Sequence, residues 1–343
     1  MTTTIVSEPL PAVRRRRGIG WWLPFASLGL VLFVGVFAPL LANDVPLLAR
    51  VDGKWSMPAV ADLFGEPPAG PHDGTWKQWW SRLGAGNEDF GIMPPWPYGP
   101  TAIDAARFGQ KPCLAHPLGN DDTGRDVLAR LVHGAGTVVW LGLPAVLLAA
   151  VVGAVLGAWA GLAGGLVDGI VLRLIELSLC FPMLLFLLFA AAFFGTSPFG
   201  MVAVLALMFW TSFARIVRGE MLSLRERDYV LVARGLGLGP WRIFARHLLP
   251  QVRTHVLMTA AFCMAAAIVA ESTLSYLGVG GGGGAVASWG AMLRQGSERA
   301  VVGSWHLWLF PALAVMVVVV ACHLVADRLR PARPFGSLFD ARP

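Results

Sequence analysis

The chain has 343 residues, 56 % of them hydrophobic and only 14 % charged, with a mean hydropathy of +0.62. A soluble domain is roughly 45–50 % apolar and about 25 % charged. One buried core cannot absorb this apolar excess, so a polytopic membrane protein is expected. The net charge of +6 comes mostly from Arg in clusters beside apolar runs, a pattern of membrane orientation rather than of nucleic-acid binding.

Residues 1–20 form a tail with four Arg at positions 14–17, followed by an uncharged apolar stretch at 21–42. At about 1.5 Å per residue this stretch covers a hydrocarbon core of roughly 30 Å. Asn43-Asp44-Val45-Pro46 follows it instead of a small-residue cleavage site, so an uncleaved anchor with a cytoplasmic N-terminus is expected. Residues 43–136 are rich in Pro, Gly and Trp (Trp55, Trp76, Trp79, Trp80, Trp96), with little periodicity before His116. They read as a large irregular periplasmic insertion ending in an amphipathic helix. Its Trp residues would form a satellite core, cap the translocation mouth, rest at the lipid interface or dock a partner. Near its end, Asp121 or Asp122 and Gly124-Arg125-Asp126 precede Val127, Leu128, Leu131 and Val132, which predicts a capped amphipathic helix.

Five more spans are predicted at 137–163, 170–195, 199–217, 254–277 and 306–326, giving six transmembrane helices in an all-α polytopic membrane protein. Six crossings return the C-terminal tail, 327–343, to the cytoplasm. The Arg bias agrees: residues 221–253 carry six Arg against Glu226 and Asp228, whereas the outer segment has 8 basic and 11 acidic residues. Pro144, Pro182 and Pro311 are candidate kinks, and Gly153, Gly157 and Gly161 mark a close-packing face. The glycine run at 280–284 reads as a turning loop, not a phosphate loop, because no Lys-Ser/Thr follows it. Cys180, Cys263 and Cys322 lie in apolar runs and Cys113 stands alone, which argues against a disulfide framework or a metal site.

The loop at 218–253 is too polar and too long for a passive connector. Asp228 can cap a short helix, Tyr229 to Leu236 continue it, and Gly237 supplies the turn. Pro240 then suits the first turn of a second helix, with Trp241, Phe244, Ala245 and Leu248 on one face and Arg242 and Arg246 on another. Pro250 is expected to end it. The alternative is a solvated basic loop that only sets orientation.

This segment resembles the EAA loop of ABC-importer permeases (E-A-A, three residues, G, nine residues, I, any residue, L-P). Ala233, Gly237, Leu249 and Pro250 match at the family's spacing, while Leu231 occupies the Glu slot and His247 the Ile slot. The flanking Asp228-Tyr229-Val230, Arg234-x-Leu236-Gly237 and Arg246-His247-x-Leu249-Pro250 resemble the dipeptide and oligopeptide branch. Two further blocks carry the same resemblance: 116–131, with Asn120 in place of the family's Thr, and Glu271 to Gly278 followed by Trp289-Gly290-x-Met292-Leu293 and Gly296. The family's C-terminal G-D-G-L-R-D is degraded at 326–331. The oversized outer segment is similar to the Yej-type subgroup linked to peptides and microcin C.

The resemblance implies a type I ABC-importer permease fold with a five-helix core at 137–326, and one transmembrane half of a binding-protein-dependent peptide importer in the bacterial inner membrane. It implies three partners: a second permease subunit in a heterodimer, a cytoplasmic ABC ATPase and a periplasmic peptide-binding protein. ATP and Mg would sit on the ATPase, with no cofactor, metal or catalytic residue in this chain. The contacts with the ATPase would come from Asp228, Tyr229, Ala233, Arg234, Gly237, Trp241, Arg246, His247 and Pro250. Inside the spans, Glu271 and the Arg173/Glu176 pair, three residues apart on one helical face, are pathway or structural candidates. The rival readings are a self-sufficient secondary transporter or channel, and a membrane enzyme built on His116, His133, Asp121 and Asp122.

Overall fold

The computed structural model describes residues 19–51, 53–63, 76–82, 89–104, 106–194, 197–279, 287–299 and 303–330. The Arg cluster at 14–17, the glycine run at 280–284 and the tail beyond Arg330 lie outside them, as do the side chains of Leu231, Arg234, Trp241, Ala245 and His247.

Four helices are long and apolar enough to cross a membrane: Val127–Ala163, Pro198–Leu224, Leu249–Tyr276 and His306–Leu329. A bent pair, Gly165–Cys180 with Met183–Phe189, gives a fifth crossing if it is one span. The segment expected as the first span is divided. Helix α1 (Leu23–Val36) stops at Phe37, and a short α2 (Ala38–Leu41) follows. At about 1.5 Å per residue α1 alone falls short of a roughly 30 Å core. The break has a cause in Pro39, whose missing N–H cannot bond the Gly35 carbonyl, four residues back. A Cβ at Gly35 would come within 2.5 Å of the Ala135 carbonyl oxygen, so α1 crosses the next helix closely there.

The 43–136 segment is not wholly irregular, and the all-α expectation fails there. Strands β1 (Leu48–Val51), β2 (Lys54–Ser56) and β3 (Phe90–Ile92) form an antiparallel sheet in the order β2-β1-β3. With α3 (Pro58–Leu63) and α4 (Trp76–Arg82) they enclose a satellite core of Val45, Ala49, Trp76 and Trp79. The pattern is hard to see in sequence because these strands have three or four residues each, too few for alternation to show.

The amphipathic helix and the second span, expected as two elements, are one continuous rod. Helix α5 (Val127–Thr137) passes through a π turn at Val138–Gly142 into α6 (Leu143–Ala163). Pro144 explains the turn: its ring would press on the Trp140 carbonyl in a regular helix, and the wider turn, closed by Leu143 N–H to the Val138 carbonyl, absorbs it. Pro311 sits inside α14 (His306–Leu329) without interrupting it.

Helix α7 (Gly165–Cys180) and α8 (Met183–Phe194) were expected as one span but meet at 87°. Phe181 is extended (φ −86°, ψ 129°), the region to which a residue before proline is confined. Helix α9 (Pro198–Leu224) runs parallel to α6, position 153 lying by 210, 157 by 214 and 161 by 221. Gly153 and Gly157 lie on its backbone at Trp210 and Ala214, and a Cβ at Gly161 would reach within 2.5 Å of Met221 Cβ. The four-residue glycine repeat is the seam of this helix pair. After the hairpin described below come α12 (Leu249–Tyr276), α13 (Trp289–Arg299) and α14. One apolar core joins α5, α6, α9, α12, α13 and α14 through Val127, Ala145, Phe213, Ala267, Trp289 and Cys322.

Candidate functional site

Between α9 and α12 the chain folds back as a helical hairpin. Helix α10 (Asp228–Gly235) opens on an acidic residue, favourable at the positive end of a helix. It closes in a Schellman turn: Leu238 N–H reaches the Ala233 carbonyl at 3.1 Å, and Gly237 takes φ +77°. Nothing lies within 4 Å of where a Gly237 Cβ would be, so backbone conformation alone favours glycine there. Helix α11 (Pro240–Ile243) starts on the Gly239 carbonyl, which accepts from Arg242 and Ile243 at 3.0 and 3.1 Å.

The expected stop at Pro250 is absent. A π turn at Phe244–Leu248, closed by Leu249 N–H to the Phe244 carbonyl, carries α11 into α12, with Pro250 in the first turn of α12. As at Pro144, the widened turn two residues before the proline spares the clash. The second arm of the hairpin is thus continuous with a 28-residue helix. Arg246 and His247 lie in that π turn.

The hairpin has two faces. Val230, Ala233, Ile243 and Leu248 are buried and pack with Ala158, Val217, Met221, Leu224 and Val252. Of the apolar face predicted for the second helix, Leu248 is fully buried and Phe244 packs on the same cluster. Facing out are Asp228, Tyr229, Val232, Gly237, Arg242, Arg246 and Pro250, with Leu236 77 % exposed. Gln251 donates to the Tyr229 hydroxyl at 3.0 Å, tying the two arms together. Behind the hairpin, Arg218 grips Asp168 with two hydrogen bonds and Arg225 donates to the Gly161 carbonyl at 3.2 Å. Sequence reasoning missed the Asp168–Arg218 pair. Its signal was a lone acidic residue in the 161–169 connection, level with the Arg-rich end of α9.

At the far end of the bundle lies a buried polar cluster. Asp126 caps α5 by accepting from Ala129 N–H at 2.7 Å. It also accepts from Trp96 Nε1 at 2.9 Å and pairs with His116 Nδ1 at 2.6 Å. Asp121 accepts from the Thr123 and Arg125 amides, Thr123 Oγ1, Arg125 Nε and Arg130 Nη1. Burial alone would raise the Asp121 pKa; the Arg130 charge, the Arg125 amide and the Thr123 hydroxyl outweigh it and hold the carboxyl below its ordinary 3.8. Arg130 also donates to Gln295 of α13 at 2.5 Å, and Asp122 pairs with Arg299 at 3.5 Å. His133 bonds the Ala42 carbonyl at 2.6 Å, whereas His116 pairs with Asp126. The four residues of the enzyme alternative are thus engaged in separate structural contacts rather than converging. Within the spans, Glu271 is buried and accepts from Ser275 at 2.8 Å, while Arg173 and Glu176 pair at 2.6 Å on an exposed face.

Membrane-crossing helices and a helical hairpin continuous with one of them define a membrane-embedded protein. The model of the family "binding-protein-dependent transport system inner membrane component" matches residues 153–333, and the chain belongs to that family. It is 36 % identical over 242 residues to a protein of Brucella suis biovar 1 described as a peptide permease, covering 70 % of this chain and 80 % of the relative. It is 35 % identical over 241 residues to one of Brucella abortus biovar 1 described as a peptide transport system permease, with the same coverage. It is also 32 % identical over 230 residues to the glutathione transport system permease protein GsiD of Pectobacterium atrosepticum, covering 67 % of this chain and 76 % of that one.

Proposed function

We propose that this chain is one transmembrane half of an ATP-driven peptide importer, and that the α10–α11 hairpin is the lever through which a separate cytoplasmic ATPase moves it. The observation that carries the reading is the continuity of the hairpin with α12 through the Phe244–Leu248 turn. A push on the exposed Tyr229, Val232, Leu236 and Arg242 surface passes down a rigid helix into the bundle instead of being lost in a loop. The buried face anchors the hairpin to α6 and α9, so the motion is that of a body, not of a tip. In this reading the chain crosses six times, α1 with α2 counting as one crossing and α7 with α8 as another, so that both termini and the hairpin face the ATPase and the 43–136 segment faces the periplasm. A second permease subunit completes the pathway, and a periplasmic binding protein delivers the peptide. The relatives described as peptide and glutathione permeases support a short peptide as cargo.

The test is Gly237→Val. A β-branched residue at φ +77° costs about 1–2 kcal/mol and distorts only the turn, because the space around it is open. The variant should insert and co-purify with its second permease yet lose most peptide uptake and peptide-stimulated ATP hydrolysis. Wild-type uptake in that variant, or transport by the isolated wild-type chain, would overturn the lever.

A further inference from the structure

A backbone that crosses lipid normally satisfies its own hydrogen bonds, and at the α7–α8 junction this one does not. Pro182 has no N–H to return to the Ser178 carbonyl, Phe181 is extended, and the 87° bend breaks the i→i−4 ladder. The depth of the break follows from how α7 pairs with α9. Asp168 meets Arg218; Val171 and Ile175 then pack with Ala214 and Trp210; the last turn of α7 faces residues 207–212. Those residues are the middle of the 27-residue α9, so the break lies at mid-depth of that helix.

Every residue from 176 to 185 is exposed, on all sides of both helix ends. Beside them is a cavity of about 390 Å³ lined by Ser178, Phe181, Phe186, Met208, Thr211 and Ser212. Its size and its apolar walls set with a few hydroxyls are those of a small-ligand site. Hydrocarbon is a poor occupant, because an open carbonyl in lipid has no partner; irregular backbone at this depth is tolerated where it lines a water-filled cavity. Interrupted helices with free main-chain groups at the midplane are a recurrent way to meet a solute.

We propose that the Phe181–Pro182 break forms part of the wall of the solute path, the carbonyls left open in the last turn of α7, Ser178 first among them, accepting from the main-chain N–H groups of a passing peptide while Phe186 and Met208 border its side chains. The inference rests on the peptide-importer reading above. It adds a basis for tolerance, because acceptors on the main chain of the protein read the main chain of the cargo and not its side-chain identity.

Cys180, free and exposed at the end of α7, is a built-in probe, since thiols react as thiolates and so need water. The assembled transporter is reconstituted in liposomes and treated with a charged, membrane-impermeant methanethiosulfonate, and modification of Cys180 is followed by mass spectrometry. Val155, 61 % exposed on the unbroken α6, provides the reference as Val155→Cys in a Cys180→Ser background. Cys180 should react at least about tenfold faster than that reference, and trialanine supplied with ATP and the binding protein should slow it while maltose does not. Reaction no faster than at Val155→Cys, or full reactivity during trialanine import, overturns the proposal and leaves the importer reading intact. Failure of trialanine import with rapid labelling overturns the peptide reading instead, and still supports the break as a wall of the water path.

Discussion

At one end of the bundle, Asp121, Asp126, His116 and Arg130 are buried and bonded to one another and to Trp96 and Gln295. At the other, the hairpin keeps Val230, Ala233 and Leu248 inside and leaves Tyr229, Leu236, Arg242 and Arg246 in the open. The first end spends its charges on fixing three helices together: α5 carries Arg130, α13 carries Gln295, and His306 of α14 reaches the Asn120 carbonyl at 3.4 Å. The second holds its position with apolar packing and leaves its charges exposed.

The comparison breaks most severely if the locked end can be cut without consequence. Arg130→Leu leaves Asp121 buried without its strongest partner, and loss of one member of a buried pair typically costs about 3–5 kcal/mol. The detergent-solubilised protein should melt well below wild type; an unchanged melting temperature would remove the brace from the argument. Gly157→Leu comes next. Its side chain would meet the Ala214 backbone, which cannot step aside as a side chain can. Overpacking of this kind costs about 1–3 kcal/mol, and the α6–α9 seam should open, read as lost co-assembly with the second permease.

Acidification sharpens the contrast more gently. Because the folded Asp121 carboxyl is held below 3.8, its stabilisation is fully present above that value and is lost as the pH falls through it towards the folded pKa. Thermal melts between pH 6 and pH 3 should show wild type losing stability below pH 4, and Asp121→Asn should flatten that slope. The smallest effect on stability is expected at the open end. Leu236→Ser, at a site 77 % exposed, should shift stability by less than about 0.5 kcal/mol while weakening capture of the ATPase in a pull-down. Equal capture by variant and wild type would show that Leu236 is not part of the grasped surface.

The hairpin was legible because its signals are local. Asp228, Gly237 and Pro240 act through the φ, ψ and hydrogen bonds of their own turns, and the structure puts a helix start, a left-handed turn and a second start at those positions. Pro250 misled for the same reason: a proline is a stop by local rules, and only the widened turn before it lets the helix run on. The short strands around Trp55 and Phe90 were illegible because each has too few residues to carry a period.

Composition and apolar run length by themselves determined that this chain lives in a bilayer, since hydrocarbon demands about twenty apolar residues per crossing wherever they occur. Glycines four apart determined a close helix seam, because a missing Cβ is a local property that any neighbour can exploit. Only the tertiary structure decided which helix uses that seam, that Asp168 answers Arg218 and Arg130 answers Asp121, and that one apolar run is snapped at Pro182 while Pro311 leaves another whole. These outcomes depend on what lies across the gap from each residue, and a one-dimensional chain does not record its neighbours in space.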